Sequence, residues 1–231
     1  MGKYKYLLFD LDDTLLDFKK AEKCGVTETF KKLGIASSDR TVELYSAINL
    51  SCWKQYERGE ISKEDIYKNR VIMLSEQLGV AIDVEEFSNK YFSSLSMQGH
   101  TLPFAFTLLN TLSQKGYKLA AATNGARSVQ TGRLVASGIA GFFKSGIFIS
   151  EQIGLKKPDA EFFDYILNTL GVQNKNEVLV IGDSLSSDIR GAVNARLDSC
   201  FVNLKGEALP DNCKPTYVAG CLEDVISVCG L

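Results

Sequence analysis

The chain has 231 residues, 45% of them hydrophobic and 23% charged, with a formal net charge of −2. That length supports one large domain or two small ones around a sizeable core, and the charge balance offers no basic surface for a nucleic acid polymer. No apolar run is long enough to span a membrane, and a single histidine, His100, argues against His-dependent triads and multi-His metal sites.

The chain opens with Met1-Gly-Lys-Tyr-Lys5 and runs straight into an apolar stretch, so no signal peptide is expected. The six cysteines, Cys24, Cys52, Cys200, Cys213, Cys221 and Cys229, form no Cys-x-x-Cys pair and read as free thiols in a reducing compartment. The expected location is therefore cytoplasmic.

Tyr6–Phe9 is a continuous apolar run that ends in Asp10-Leu11-Asp12-Asp13. Such a run reads as a strand buried on both faces, and in open α/β sheets ligands bind beyond the carboxyl ends of the strands. Alternation along an extended chain points Asp10 and Asp12 the same way. Three acids in four residues repel one another unless a cation sits among them. Mg²⁺ is the natural candidate, because it takes hard oxygen ligands and keeps waters and substrate phosphate in its shell.

From residue 18 to 96 the spacing is helical. One helix is expected from Phe18 to Leu33, ended by Gly34. A second starts at Ser38 or Asp39 and stops at Gly59. Ser62-Lys-Glu-Asp65 fits a capping box for a third, through Leu78 to Gly79, and Asp83 caps a fourth through about Leu95. Four helices with short connections read as a bundle.

Beyond residue 103 helices and strands alternate. Helices are expected over 103–114, 127–136, 158–170 and 186–195, and strands over 117–123, 145–149, 177–181 and 199–202, with 215–218 and 222–229 closing the chain. This alternation implies a parallel sheet covered on both faces, to which Tyr6–Phe9 belongs. The fold class is α/β: a Rossmann-like core, 1–17 and 97–231, with a helical bundle, 18–96, inserted after the first strand.

Several strand ends carry polar groups. Thr123-Asn124-Gly125 can point a hydroxyl and backbone N–H groups at an anion, although Thr-Asn-Gly is also a common turn. Lys157, before Pro158, can reach a phosphate, although most lysine pairs are solvated surface. Gly182-Asp183 ends an apolar strand, and Asp188 opens the next helix, where the helix dipole alone also favours an acid. Together, Asp10, Asp12 and Asp183 can gather a cation while Thr123 and Lys157 hold phosphate oxygens, an arrangement suited to phosphoryl transfer.

The ordered set Asp10-x-Asp12-x-Thr14, Thr123, Lys157-Pro158 and Gly182-Asp183-x₄-Asp188 resembles the four motifs of the haloacid dehalogenase superfamily phosphohydrolases. The insertion resembles their first type of helical cap (C1). Phe9-Asp-Leu-Asp-Asp-Thr-Leu-Leu-Asp-Phe18 and Gly182-Asp-Ser-Leu-Ser-Ser-Asp-Ile189 look most like the YjjG-like pyrimidine 5′-nucleotidases, as does Trp53-x-x-Tyr56-Glu-x-Gly59-x-Ile61. One departure is Asn194-Ala-Arg196-Leu-Asp198, where the resemblance leads one to expect Asn-Ala-Gly-Ile-Asp.

The resemblance implies a small-molecule phosphate ester as substrate, a pyrimidine nucleoside monophosphate above all, and Mg²⁺ as cofactor. Asp10 would be the nucleophile that forms an aspartyl-phosphate, and Asp12 the general acid and then base. The Asp10 carboxylate, the Asp12 main-chain carbonyl and Asp183 would bind the metal. Asp188 would hold a metal water or Lys157 from behind. Thr123, the backbone at Asn124 and Lys157 would grip the phosphate. Phe18, where the chain enters the cap, is a candidate to face the base, whereas Trp53 and Tyr56 read first as cap packing. Two alternatives stay open: a capped phosphatase or phosphomutase acting on sugar phosphates or phosphoglycolate, and a non-enzymatic phospho-acceptor, against which the large insertion argues.

Overall fold

Every residue of Tyr6–Phe9 (β1) is buried, as a strand can be only when elements cover both its faces. The computed structural model describes residues 2–210 and 213–230. After β1 come α1 (Phe18–Leu33), α2 (Asp39–Glu57), α3 (Lys63–Leu78), α4 (Val84–Ser96) and α5 (Ala105–Gln114). Then follow β2 (Lys118–Thr123), α6 (Arg127–Ala136), β3 (Gly146–Ile149), α7 (Ser150–Ile153) and α8 (Ala160–Leu170). The chain ends with β4 (Val178–Gly182), α9 (Arg190–Ala195), β5 (Asp198–Val202), β6 (Tyr217–Ala219) and α10 (Leu222–Val228). No helix among the described residues is long and apolar enough to cross a membrane.

The sheet has the order β3-β2-β1-β4-β5-β6, and all its pairs are parallel. The fold class expected from sequence, a parallel Rossmann-like α/β core with inserted helices, is the one observed. From β1 the chain winds outward through β2 and β3, then returns to build β4, β5 and β6 on the other side. The direction of winding reverses between β1 and β4, where open α/β sheets place their ligand crevice. Phe9 registers with Ala121 on one side and Ile181 on the other, so the acids after Phe9 emerge between the ends of β2 and β4.

On one face of the sheet, alternate residues Tyr6 and Leu8, Ala120 and Ala122, and Val178 and Val180 join Phe162, Phe163 and Ile166 of α8 in one buried cluster. A Cβ at Gly191 would come within 2.5 Å of the Phe163 ring, so α9 lies against α8 only because that residue has no side chain.

The chain divides into two compact units. One is Met1–Asp17 with Thr101–Arg127 and Ser137–Leu231, and carries the sheet. The other is Phe18–His100 with Ser128–Ala136. Local signals set the helices of the second. Ser38 and Thr41 form a capping box for α2, Ser62 and Asp65 one for α3, which ends at left-handed Gly79, and Asp83 caps α4. A buried polar chain crosses the bundle. Asn49 of α2 donates to Glu22 of α1 at 2.7 Å and accepts from Arg70 of α3 at 3.2 Å, and the Arg70 guanidinium lies 4.8 Å from the Tyr91 ring centre of α4. Residues 128–136, although between two strands in sequence, pack in this unit. A Cβ at Gly132 would come within 2.7 Å of Ser96, and Arg133 donates to the Gln98 carbonyl at 3.2 Å.

Three helix starts differ from the sequence expectation, and the first, expected from Pro103, begins at Ala105 because Phe104 is in the left-handed region (φ 68°, ψ −9°). The helix expected from Pro158 begins at Ala160, because Asp159 is extended (φ −66°, ψ 134°). The helix expected from Ser186 opens with a wide turn over Leu185–Ile189, in which the Ile189 N–H reaches back five residues to the Ser184 carbonyl at 3.1 Å. That turn brings the Asp188 carboxylate onto the Ser184 N–H at 3.1 Å.

Arg196, the departure noted in sequence, ends α9 in the left-handed region (φ 58°, ψ 46°). The Leu197 N–H closes the helix end on the Ala192 carbonyl at 2.8 Å, a helix stop that glycine fills without steric cost. Arg196→Gly is therefore expected to raise unfolding stability by about 1 kcal/mol, read from the denaturant midpoint. An unchanged or lower midpoint would mean that the arginine side chain contributes more than the backbone conformation costs.

Candidate active site

Asp10 follows the last residue of β1, and its N–H donates to the Ile181 carbonyl at 2.8 Å, which ties it to the neighbouring strand β4. The chain then doubles back. The N–H groups of Leu15 and Leu16 both donate to the Leu11 carbonyl, and the Asp13 N–H donates to the Leu16 carbonyl at 2.8 Å. Asp13 stands at φ 57°, a left-handed position that Asp tolerates better than most residues. This tight turn holds Asp12 half-buried and places Thr14 so that its hydroxyl donates to Asp183 at 3.0 Å.

Lys157 is the centre of the site, at 2% exposure. Its ammonium donates to Asp10 Oδ1 at 2.5 Å, to Asp188 Oδ1 at 2.6 Å and to the Ala122 carbonyl at 2.8 Å. An ammonium has three N–H groups, and all three are used. Burial works against the charged lysine, but the charges and hydrogen bonds of Asp10 and Asp188 outweigh it and hold the amine above its ordinary value.

The acids around it are crowded. Carboxylate oxygens of Asp10, Asp183 and Asp188 lie within 4.8 Å of one another. Burial pushes the Asp10 carboxyl up to about 8, with Lys157 opposing and the charges of Asp188 and Asp12 adding to the rise. Burial also raises Asp183 well above the carboxylate range, reinforced by Asp10, Asp188 and Asp13 and opposed by the Thr14 hydrogen bond. Hard anionic oxygens held this close suit a divalent cation, whose charge reverses the repulsion. Asp188 engages Lys157 through Oδ1 and the Ser184 N–H through Oδ2. Asp10 and Asp183 are thus the acids with more free coordinating capacity.

Thr123 ends β2 and is buried, and its hydroxyl accepts from the Gly125 N–H at 3.0 Å. Asn124 uses its side chain as well as its backbone. Its carboxamide donates to the Lys157 carbonyl at 2.8 Å and accepts from the Lys157 N–H at 3.0 Å. A recess lined by Asp13, Asp183, Leu102, Phe201 and Lys205 opens beside Asp183. The structure therefore gathers Asp10, Thr14, Asn124, Lys157, Asp183 and Asp188 through direct contacts, with Thr123 at the adjoining strand end. Asp12 lies half-buried in the turn that follows Asp10, and Phe18, the last candidate, belongs to the helical unit, where its ring lies 5.6 Å from the Arg133 guanidinium.

Sequence reasoning passed over two participants. The Asn124 side chain was not singled out, since its partner lies far along the chain. Gly182 was read only as the residue before Asp183. A Cβ on Gly182 would come within 2.3 Å of the Asp188 carboxylate, so that carboxylate lies directly against the strand backbone. The signal was there: a glycine closing a buried apolar strand marks a close approach. Gly182→Ala should displace Asp188, loosen Lys157 and lower kcat/KM by roughly tenfold or more, measured on any phosphate ester the enzyme turns over. Full activity would mean that Asp188 has room to move without consequence.

The haloacid dehalogenase-like hydrolase family model matches residues 7–202. The chain is 38% identical over 223 residues to the pyrimidine 5′-nucleotidase PynA of Streptococcus pneumoniae, covering 96% of this chain and 94% of that protein. It is 28% identical to the pyrimidine 5′-nucleotidase YjjG of Escherichia coli, covering 96% of each. Among solved structures, the putative HAD-hydrolase YfnB of Bacillus subtilis, crystallised with magnesium, superposes with a TM-score of 0.93 at 32% identity, covering 99% of this chain and 100% of that one. The matched span includes the Asp10 turn, Lys157 and the Asp183–Asp188 strand end, and this chain belongs to the haloacid dehalogenase-like hydrolases.

Proposed function

We propose that this protein is a Mg²⁺-dependent phosphomonoester hydrolase that acts on pyrimidine nucleoside 5′-monophosphates through an aspartyl-phosphate. The observation that carries the reading is the Lys157 ammonium held between Asp10 and Asp188 beside Asp183. A buried lysine bound to two acids of the three-acid cluster opposes the rise that burial gives Asp10 and so favours the ionised form that a nucleophile needs. The identity to two relatives named pyrimidine 5′-nucleotidases supports the choice of substrate.

In this reading the sheet-bearing part, 1–17 and 97–231, is the catalytic core. The helices of 18–96 form the cap that selects the leaving group, and residues 128–136 pack with them. Mg²⁺ would be held by the carboxylates of Asp10 and Asp183 and the main-chain carbonyl of Asp12, and when bound it supplies positive charge against the phosphate oxygens. An Asp10 carboxylate oxygen attacks phosphorus, and the ester oxygen leaves with a proton from Asp12. Asp12, now a carboxylate, takes a proton from water, whose oxygen attacks the same phosphorus and frees Asp10 and inorganic phosphate. The Lys157 ammonium, whose three donors are taken by protein groups, neutralises charge on the transferring group, and the Thr123 hydroxyl and the Asn124 backbone hold it. Phe18 is the proposed contact to the base, a role its position directly after the catalytic turn supports. The six cysteines are free, which supports a reducing, cytoplasmic setting.

The test is a panel of initial rates with Mg²⁺: pyrimidine ribo- and deoxynucleoside monophosphates, purine counterparts, sugar phosphates and phosphoglycolate. A pyrimidine nucleotide is expected to lead the other classes by about tenfold or more in kcat/KM, with chelator abolishing all rates. A sugar phosphate at the head of the panel would overturn the nucleotidase reading, and undiminished rates in chelator would remove the metal.

A further inference from the structure

We infer that Asn124 is a positioning residue for Lys157, acting through its side chain and separately from any contact its backbone makes with phosphate. The inference rests on the proposed role of Lys157 in the reaction.

Lys157 stands outside regular structure, between α7 and α8. Its four-carbon stem must carry an ammonium into a buried point with three fixed acceptors: Asp10 Oδ1, Asp188 Oδ1 and the Ala122 carbonyl. A flexible stem reaches such a point reproducibly only if its root is fixed. In a strand or helix, ladder bonds would fix it. Here the backbone N–H and C=O of Lys157 both pair with a single carboxamide, that of Asn124, at 3.0 and 2.8 Å. An amide side chain presents one acceptor and one donor in a plane, the complement of a residue whose own N–H and C=O point the same way.

Asn124 is itself held. It directly follows β2, the Gly125 N–H closes onto the Thr123 hydroxyl at 3.0 Å, and the Asn124 carbonyl accepts from the Ser150 hydroxyl at 3.4 Å. The strand end that carries Thr123 thus also fixes the root of Lys157. Ala122, two residues before Asn124, supplies the third acceptor for the same ammonium, so residues 122–124 grip Lys157 at both its ends. Aspartate at position 124 keeps the acceptor for the N–H but sets a carboxylate oxygen against the Lys157 carbonyl. Alanine removes both bonds.

The experiment is a double-mutant cycle on kcat with the full-length enzyme and Mg²⁺: wild type, Asn124→Ala, Lys157→Ala and the double variant, with Asn124→Asp as a second probe and thermal melts to confirm folding. Asn124→Ala is expected to lower kcat by about tenfold with little change in KM, and Asn124→Asp by a similar factor. In the Lys157→Ala background the further loss from Asn124→Ala should vanish, because its effect passes through the missing lysine. Equal losses in both backgrounds, or an Asn124→Ala variant with wild-type kcat, would overturn the inference. Should Asn124→Ala fail to fold, the same cycle run with Asn124→Asp decides by the same criterion. Lys157→Ala with unimpaired turnover would instead show that the proposed catalytic role of Lys157 is wrong, which separates the two failures.

Discussion

A buried ammonium between two carboxylates is the constraint on which the rest of this site depends. Taking Lys157, Asp10 and Asp188 out of water is costly for each alone, and the arrangement holds only because every donor of the ammonium meets an acceptor. Removing one partner leaves an unpaired buried charge. The neighbouring residues are accordingly committed. Gly182 has no side chain, so that the Asp188 carboxylate can lie against the strand. The turn over Leu185–Ile189 is wound wide and returns that carboxylate to the Ser184 N–H. Asn124 holds the lysine backbone. The remaining acid, Asp183, lies within 4.8 Å of this group and is steadied by Thr14.

The sheet order brings these groups together from distant parts of the chain. β1 lies in the middle of the parallel sheet, with β2 on one side and β4 on the other. Its register sets Asp10 between the end of β2, which supplies Ala122, Thr123 and Asn124, and the end of β4, which supplies Gly182 and Asp183. Short apolar strands stop together and release their next residues at one edge, and the segment between α7 and α8 carries Lys157 to it.

Much of this was legible in the sequence, for local reasons. Helix ends in the bundle are written in capping residues, and Ser62 with Asp65, Asp83, Gly34 and Gly79 all stand within a turn of the boundaries they set. The strands around the site are apolar runs broken by acids or glycine. What the sequence did not reveal is non-local. The pairing of Asn124 with Lys157 joins residues far apart in the chain, and no pattern near either announces it. Residues 128–136 read as an ordinary crossover helix, yet the lack of a side chain at Gly132 and the reach of Arg133 to Gln98 settle them among the helices of the other unit. The wide turn before α9 follows from the pull of Lys157 and the Ser184 N–H on Asp188, an interaction invisible to helical periodicity. Arg196 shows the converse. The sequence marked it as unusual, and the backbone explains why a glycine was expected there.

The central claim is that Asp10, held by Lys157, is the atom donor to phosphorus. It is tested most directly by trapping the phosphoenzyme in Asp12→Asn. An aryl phosphate needs no proton for its leaving group, so the first step survives in this variant, while the water that clears the intermediate has lost its base. Mixed rapidly with such an ester and Mg²⁺, then quenched and reduced with borohydride, the variant should release a stoichiometric burst of phenol and carry the modification on Asp10 in a peptide map. A burst with the modification on any other residue, or sustained turnover with no phosphorylated protein, would contradict the account.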